Sequence, residues 1–162
     1  MTLLFLDVDG TLIPYGSTRP YPVHGPPSPG DAGHPLLSRI DPTLGPRLAA
    51  LGCETVWATT WLEDANTCVA PRLGLPPLPL VDWPDPAQSG PDEVRGLHWK
   101  TRPLVAHAAG RPFVWLDDEI TAVDRIWVAA HHTARALLHR VDHRRGLTDT
   151  DLAAVRAWLT IG

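Results

Sequence analysis

Two aspartates stand one residue apart near the start of the chain, in the stretch LLFLDVDGT. The run LLFL is apolar at every position, which is typical of a strand buried on both faces of a parallel sheet. Side chains two positions apart in extended backbone point the same way, so the carboxylates of Asp7 and Asp9 are predicted to lie on one side of the strand end. Two such carboxylates repel each other unless they share a proton or a cation. The pattern therefore predicts a site where a proton or a cation is shared.

Two later apolar runs also end in polar pairs. The run ETVWA precedes Thr59 and Thr60, and the run PFVWL precedes Asp117 and Asp118. In an open parallel sheet, ligands bind beyond the carboxyl ends of the strands, so these pairs are expected near the first two aspartates. Mg²⁺ takes oxygen ligands in an octahedron and usually keeps several waters. The predicted ligands of such an ion are Asp7, Asp9, Asp117 and Asp118.

The stretch that follows the first proline-rich segment favours a helix. Leu44, Leu48 and Leu51 share one helical face, and Gly52 is the expected C-cap. Residues 41–42 and residues 45–46 both suit a first turn, so the start of this helix is open.

Helices and strands then alternate along the rest of the chain. The segment from Leu62 to Gly74 has apolar residues at helical spacing, and Thr101 is the expected N-cap of the helix RPLVAHAA. The run ITAVDRIWVAA favours a helix and RALLHRV a strand, and Thr148 and Asp151 form a capping box for the last helix. Strands separated by helices predict an α/β fold with a parallel sheet and right-handed crossovers.

Two proline-rich insertions interrupt this pattern. Nine of the 18 prolines lie between residues 14 and 46, and residues 14–35 are predicted to be non-helical, either a functional flap or a surface linker. Residues 76–99 hold one short strand candidate, LPLVDW. Independent domains start at about fifty residues, so neither insertion can bury a core of its own. Residues 1–162 are therefore predicted to form one domain with no substantial cap.

Composition limits the class of protein. A chain of 162 residues with 44% apolar and 20% charged residues is long enough to bury a sizeable core. A net charge of −4 argues against a long nucleic-acid footprint, but not against contact with a nucleic-acid end. No apolar run has membrane-spanning length, no basic leader precedes the first strand, and two cysteines are too few for a disulfide framework. We therefore expect a cytoplasmic protein without membrane contact; its oligomeric state is open.

Four spaced motifs resemble those of the haloacid dehalogenase-like (HAD) phosphohydrolases. FLDVDGT resembles the first motif, VWATT the second, Lys100 in HWKTRPLV the third and WLDDE the fourth. The stretch VWATTWLEDAN is also similar to HAD domains associated with RNA-repair proteins. The resemblance implies a Rossmann-like three-layer α/β/α fold with a parallel sheet of about five strands, dependence on Mg²⁺ and hydrolysis of phosphoesters.

The first motif carries the chemistry of group transfer. Asp7 can attack phosphorus to form an aspartyl-phosphate, which splits one difficult displacement into two easier ones. Asp9 can protonate the leaving alcohol and later deprotonate a water, and the resemblance implies that its backbone carbonyl also binds the metal. Gly10 allows a sharp turn beside the phosphoryl group, where a Cβ would obstruct. The presence of Asp9 favours a phosphatase, because the dehalogenase version of the motif lacks this second acid.

The later motifs supply the remaining groups. Thr59, which directly follows the apolar run, is preferred over Thr60 as the hydroxyl that donates to a phosphoryl oxygen, although a strand-end or helix-capping role suits either residue. The resemblance implies that Lys100 neutralises the phosphate and restrains the nucleophile. It also favours Asp118 over Asp117 as the direct metal ligand, with Asp117 acting through water or orienting the site. The order of these two aspartates is open.

Other residues near the motifs have competing explanations. Trp61 and Asn66 follow the second motif and are candidates for substrate contact, but helix packing and capping explain them equally well. His131 and His132 are adjacent in sequence, so they cannot share a helical face as metal ligands at positions i and i+4 do. We expect these two histidines to be solvated.

The predicted function is hydrolysis of a phosphomonoester on a bulky substrate, with Mg²⁺ as the cofactor. A phosphorylated nucleic-acid end fits the resemblance to repair-associated domains, and a phosphoprotein is the main competitor. Two alternatives stay open from the sequence: a phosphotransferase that uses an acceptor other than water, and a non-catalytic domain that binds phosphorylated ligands or partner proteins.

Overall fold

A parallel sheet of four strands forms the centre of the molecule. The structure is a computed structural model and describes residues 1–25, 34–84 and 96–161. The strands are β1 (Leu3–Leu6), β2 (Glu54–Trp57), β3 (Phe113–Asp117) and β4 (Ala136–Arg140). Their order is β2-β1-β3-β4, and all neighbours are parallel. The predicted α/β fold with a parallel sheet is confirmed.

The register places the ends of three strands side by side. Leu6 of β1 lies opposite Trp57 of β2 and Leu116 of β3. Beyond the paired strands, the Asp7 N–H donates to the Leu116 carbonyl (3.1 Å) and the Ala58 N–H donates to the Leu6 carbonyl (2.9 Å). The polar residues that follow each apolar run therefore meet at one edge of the sheet.

The expected fifth strand is reduced to a single bridge in the described residues. The Trp57 N–H donates to the Pro79 carbonyl (2.8 Å), and the Val81 N–H donates to the Trp57 carbonyl (2.9 Å). This bridge at Leu80 extends the sheet beyond β2 within the predicted strand LPLVDW. Four prolines in the stretch from 76 to 84 lack the N–H that a longer ladder would need.

Helices cover both faces of the sheet and complete a three-layer arrangement. The helices are α1 (Leu44–Ala49), α2 (Ala70–Leu73), α3 (Thr101–Ala108), α4 (Ala122–His131) and α5 (Asp149–Thr160). Leu48 of α1, Leu73 of α2 and Val155 of α5 pack with Leu4 on one face. On the other face, buried residues of α3 and α4 pack with β1 and β3 in a second cluster. Alternating side chains of β1 thus enter two different cores.

Several predicted helix ends differ from the structure. The first helix starts at Leu44 and has Ala50 as its C-cap, whereas Gly52 lies in the following turn with φ of +67°. Leu62 is outside any helix with φ of +50°, and a π-helical turn, Ala65–Val69, leads into α2. Gly74 is the left-handed C-cap of α2, as predicted. Local spacing located these helices, but insertion of a π turn is not visible in apolar periodicity.

The caps of the later helices are partly as predicted. The Thr148–Asp151 capping box at the start of α5 is confirmed, and α4 has an equivalent box formed by Thr121 and Asp124. Thr101 is not the N-cap of α3, because the helix is capped at the preceding position and the Thr101 hydroxyl instead donates to Asp124 (2.7 Å).

Part of the first insertion is attached to the loop after β4. In residues 14–25 there is no helix or strand, and a 3₁₀ turn follows at Pro35–Arg39. The Tyr15 N–H donates to the His143 carbonyl (2.8 Å), and the Tyr21 hydroxyl donates to the Arg144 carbonyl (3.2 Å). No folded cap is present in the described residues. Across the same ranges, no helix has both the length and the apolar character of a membrane span.

Candidate active site

One lysine joins the ends of β1 and β3. The Lys100 Nζ lies 2.8 Å from Asp7 Oδ1 and 2.7 Å from Asp117 Oδ2, and all three side chains are buried. Lys100 is the residue directly before α3, whereas the two aspartates come from adjacent strands. The predicted nucleophile, the predicted lysine and one residue of the acidic pair are therefore brought into direct contact.

This triad has two acidic side chains and one basic side chain. Burial raises the pKa of Asp7 to about 8; the Lys100 ammonium opposes this rise and the Asp117 carboxylate adds to it. Burial by itself would lower the pKa of Lys100, but the two carboxylates outweigh burial and raise it. One ammonium is thus shared by two carboxylates, and a cation placed beside them would remove the remaining repulsion.

Asp118 completes a group of three carboxylates. Oxygens of Asp7, Asp117 and Asp118 all lie within 4.8 Å of one another. Burial raises the pKa of Asp118, the hydrogen bond from Tyr15 lowers it, and the Asp117 carboxylate raises it again. Three oxygen ligands on buried residues match the preference of Mg²⁺ for carboxylate ligands. The carboxylate of Asp9 is not in this group. For Asp9, the resemblance implies metal binding through the backbone carbonyl.

The two adjacent aspartates have different surroundings. Asp117 Oδ2 accepts hydrogen bonds from Lys100 and from Trp115 Nε1 (3.2 Å), and its Oδ1 accepts one from the Glu119 N–H (2.9 Å). Among the described residues, the only side-chain hydrogen bond to the Asp118 carboxylate comes from the Tyr15 hydroxyl (3.0 Å). Asp118 therefore has more free capacity to bind an ion.

Gly10 makes room for Asp118. The backbone of Gly10 has φ of +74°, and an ideal Cβ built on it would lie 2.7 Å from Asp118 Oδ1. The turn is held by the Gly10 N–H, which donates to the Ile13 carbonyl (2.9 Å). Glycine was predicted here because of space beside the phosphoryl group; the structure places a protein carboxylate in that space.

Asp9 lies at the solvent-facing side of the site. Its side chain is exposed, and its Oδ2 accepts a hydrogen bond from Trp61 Nε1 (2.9 Å). The ring of His34 packs against Trp61 at 4.7 Å between centroids. Trp61 thus holds the predicted general acid directly, a contact that connects residues 52 positions apart in sequence.

The two threonines differ in exposure. Thr59 is buried, its hydroxyl accepts the Trp61 N–H (3.3 Å), and its carbonyl accepts Trp83 Nε1 (3.1 Å). Thr60 is exposed. The end of β2 thus presents one buried hydroxyl, which accepts the Trp61 N–H, on a residue whose carbonyl accepts Trp83 Nε1.

Asn66 is fully engaged by the protein. Its Oδ1 accepts hydrogen bonds from Trp57 Nε1 (2.9 Å) and from the Leu78 N–H (2.8 Å). Its Nδ2 donates to the Leu78 carbonyl (3.0 Å) and to Glu63 (3.4 Å). These contacts attach the second insertion to β2 and give Asn66 a structural role.

A family comparison agrees with this geometry. The family described as "HAD domain in Swiss Army Knife RNA repair proteins" matches residues 3–152, which include all four motifs. The chain belongs to this family. Comparisons with curated proteins and with solved structures gave no match. Membership indicates a phosphohydrolase-type function, and the family is associated with RNA repair proteins.

The loop that presents Lys100 in this HAD domain depends on a residue that was not predicted. Asp124 is completely buried, and its carboxylate accepts hydrogen bonds from the His98 N–H (2.7 Å) and the Thr101 hydroxyl (2.7 Å). Burial by itself would raise the pKa of Asp124, but hydrogen bonds from Thr101 and Thr121 outweigh burial and lower it. The sequence signal available for Asp124 was the capping-box spacing of residues 121 and 124. Nothing in the sequence indicated its hydrogen bonds to residues 98 and 101.

His98 lies beside the site of the HAD domain, whereas His131 and His132 lie at the end of α4. His98 Nε2 lies 3.0 Å from the exposed Glu119, and together with Asp117 these residues form a second possible set of metal ligands. His131 is exposed, whereas His132 is buried and lies 3.0 Å from the Arg111 carbonyl. The expectation that His132 is solvated is therefore wrong, because the chain turns inward after α4.

Proposed function

We propose that this HAD domain is a Mg²⁺-dependent phosphomonoesterase that acts through an aspartyl-phosphate on Asp7. The observation that carries the proposal is the contact of Lys100 with both Asp7 and Asp117 (2.8 and 2.7 Å) in a buried site. An ammonium group loses its hydration when it is buried, so a lysine without a role at this position would stay exposed to solvent. Here its ammonium holds the Asp7 carboxylate in one orientation and offers positive charge for an incoming phosphate.

In the first step, a carboxylate oxygen of Asp7 forms a bond to phosphorus and the ester P–O bond breaks. The leaving oxygen takes its proton from Asp9, which lies at the exposed side of the site. The hydrogen bond from Trp61 Nε1 restricts where the Asp9 carboxyl can point. The products are the free alcohol and the aspartyl-phosphate.

In the second step, a water attacks the phosphorus and gives a proton to Asp9. The bond between phosphorus and the Asp7 oxygen breaks, which restores the carboxylate and releases inorganic phosphate. The Thr59 hydroxyl donates to a phosphoryl oxygen in both steps. Lys100 neutralises negative charge in both steps and restrains Asp7 between them.

The residues suited to hold Mg²⁺ are Asp7 and Asp118, with the backbone carbonyl of Asp9. When bound, the ion would polarise the phosphoryl group and offset its negative charge. We assign the direct contact to Asp118 because the Asp117 carboxylate already accepts three hydrogen bonds from protein groups. Asp117 orients Lys100 instead.

The substrate we propose is a phosphorylated nucleic-acid terminus. The association of the family with RNA repair supports this class, and the described parts of the two insertions do not fold into a cap over the site. An uncapped site can admit a phosphate attached to a bulky molecule. The net charge of −4 confines the expected contacts to the last few nucleotides.

The test compares Asp7→Asn with the wild-type protein. Hydrolysis of p-nitrophenyl phosphate and of 5′- and 3′-phosphorylated oligonucleotides is measured with Mg²⁺ and with EDTA. We expect Asp7→Asn to abolish turnover, because the amide is a poor nucleophile of nearly the same shape. We expect EDTA to abolish turnover as well, because it removes the Mg²⁺ on which the proposed reaction depends. Glu54→Gln is the matched control, since Glu54 begins β2 at the opposite edge of the sheet. Turnover that survives both Asp7→Asn and EDTA would contradict the proposal.

A further inference from the structure

A cavity lies directly after β4, at the same edge of the sheet as the three carboxylates. Its volume is about 320 Å³, and it is lined by Arg140, Val141, Asp142, His143 and Arg144. The loop that forms it ends at Gly146, where φ is +68°. The chemistry proposed above uses none of these five residues.

The cavity borders the candidate metal ligand Asp118. Arg140 Nε donates to the Asp118 carbonyl (2.8 Å). The ring of His143 stacks on Tyr15 at 4.9 Å between centroids, and the Tyr15 hydroxyl donates to Asp118 Oδ2. A ligand in the cavity would therefore lie beside the proposed phosphate site without occupying it.

The lining is locally basic in a chain whose net charge is −4. It contains two arginines and one aspartate, and Asp142 Oδ1 already accepts the Arg144 N–H (3.0 Å) within the turn. Arg144 is exposed, and its guanidinium makes no hydrogen bond or ion pair with any residue in the described ranges. Arg145 adds a further cation next to the lining. Such a set of groups favours an anion over a neutral or cationic ligand.

We propose that this cavity is a second anion subsite, which binds the phosphodiester next to the terminal phosphate of a nucleic-acid strand. The inference rests on the proposed function and adds a minimum substrate length of two nucleotides for full efficiency. Every nucleic-acid end carries this second phosphate at a fixed number of bonds from the first, whereas an acidic side chain of a phosphopeptide varies in position. A guanidinium can pair with two phosphate oxygens at once, which suits Arg140 and Arg144.

The experiment compares substrates that differ by one phosphodiester. We measure kcat/KM for a mononucleotide and for a dinucleotide with the same terminal phosphate, in 5′ and 3′ versions, and for a phosphopeptide with a neighbouring glutamate. Arg144→Gln should lower the ratio of dinucleotide to mononucleotide kcat/KM about fivefold, which is typical of one exposed charge contact. Arg156→Gln, the same change on the exposed side of α5, should leave this ratio at the wild-type value.

A binding measurement separates this inference from the proposed function. In EDTA, fluorescence anisotropy of a labelled trinucleotide with a terminal phosphate should show about fivefold weaker binding to Arg144→Gln than to Arg156→Gln. The slope of log affinity against log salt should also become less negative by about 0.7 for one lost single-strand phosphate contact.

Each outcome decides one of the two proposals. Weaker trinucleotide binding by Arg144→Gln without turnover of any substrate would support the subsite and overturn the phosphatase assignment. Turnover with an unchanged substrate ratio and unchanged binding would support the phosphatase and overturn the subsite. Dependence on Arg144 that occurs only with the phosphopeptide would overturn the assignment of the cavity to nucleic acid.

Discussion

Gly10 and the carboxylate of Asp118 lie so close that an ideal Cβ on residue 10 would be 2.5 Å from Asp118 Oδ2 and 2.7 Å from Oδ1. The backbone at this position also has φ of +74°, a region that residues with a Cβ rarely adopt. Two independent constraints, the left-handed backbone and the close approach of the Asp118 carboxylate, thus require glycine at position 10.

Gly10→Ala should lower both stability and activity. The left-handed backbone costs about 1–2 kcal/mol for alanine, and displacement of the Asp118 carboxylate adds about 1–3 kcal/mol. Gly52→Ala is the matched control, because Gly52 has φ of +67° but nothing within 4 Å of its ideal Cβ. Urea denaturation and turnover of p-nitrophenyl phosphate measure the two effects. Equal losses in both variants would show that the contact with Asp118 has no consequence.

Asp118→Asn and Asp117→Asn should separate ion binding from stability. If Asp118 is the direct ligand, Asp118→Asn should shrink the rise in melting temperature produced by Mg²⁺, since an ion that binds only the folded state stabilises it. Asp117→Asn should instead destabilise the protein in EDTA by about 3 kcal/mol, because Lys100 loses a buried partner. Thermal denaturation with and without Mg²⁺ measures both. An unchanged Mg²⁺ shift in Asp118→Asn would transfer the ligand role to Asp117.

Binding of Mg²⁺ should strengthen as the pH rises from 6 to 8. Burial raises the pKa of Asp7 to about 8, so below this pH its carboxyl holds a proton that a cation must displace. The apparent affinity should increase by about tenfold per pH unit below 8 and level off above it, as expected for release of one proton. Isothermal titration calorimetry at pH 6, 7, 8 and 9 measures this.

Asp7→Asn provides the control for that pH dependence. The amide does not titrate, so any remaining Mg²⁺ affinity in this variant should change less between pH 6 and 8. An affinity of the wild-type protein that is constant over this range would show that the Asp7 carboxyl is already ionised in the folded protein without metal.

Asp124→Asn should reduce both stability and turnover. Its carboxylate accepts hydrogen bonds from His98 in the loop before α3 and from Thr101 at the start of α3, so the change should cost about 2 kcal/mol and let Lys100 move. The pKa of Asp124 is lowered in the folded state, so its contribution is present above about pH 4 and is lost as the pH falls further. Urea denaturation at pH 3 and pH 7, together with turnover, measures these effects.

Asp151→Asn is the matched control for Asp124→Asn. Asp151 has the same position in the capping box of α5 and also has a lowered pKa, but its partners are Thr148 and His139. We expect a loss of stability with turnover retained. A loss of turnover in Asp151→Asn as large as that in Asp124→Asn would mean that Asp124 acts only through general stability.

The strands and their polar ends were predictable because their signals are local. Unbroken apolar runs such as LLFL and PFVWL indicate buried parallel strands, and both form β1 and β3 as expected. Once the sheet is parallel, the residues that follow each run must meet at one edge. The grouping of Asp7 with Asp117 and Asp118 follows from this rule. The start of α1 and the cap of α3 were not predictable, because several neighbouring residues suit each position equally well.

By itself, the sequence determined the fold class and the chemistry of the strand ends, since apolar periodicity and residue type act over a few neighbouring positions. Only the tertiary structure decided the partners: Lys100 joins Asp7 across 93 positions, and Tyr15 joins Asp118 across 103. The basic cavity beside Asp118 likewise depends on how the loop after β4 packs against the first insertion. Such contacts arise when segments that are distant in sequence bury polar groups together. Each buried group then forms a hydrogen bond with the partner that the packing places within reach.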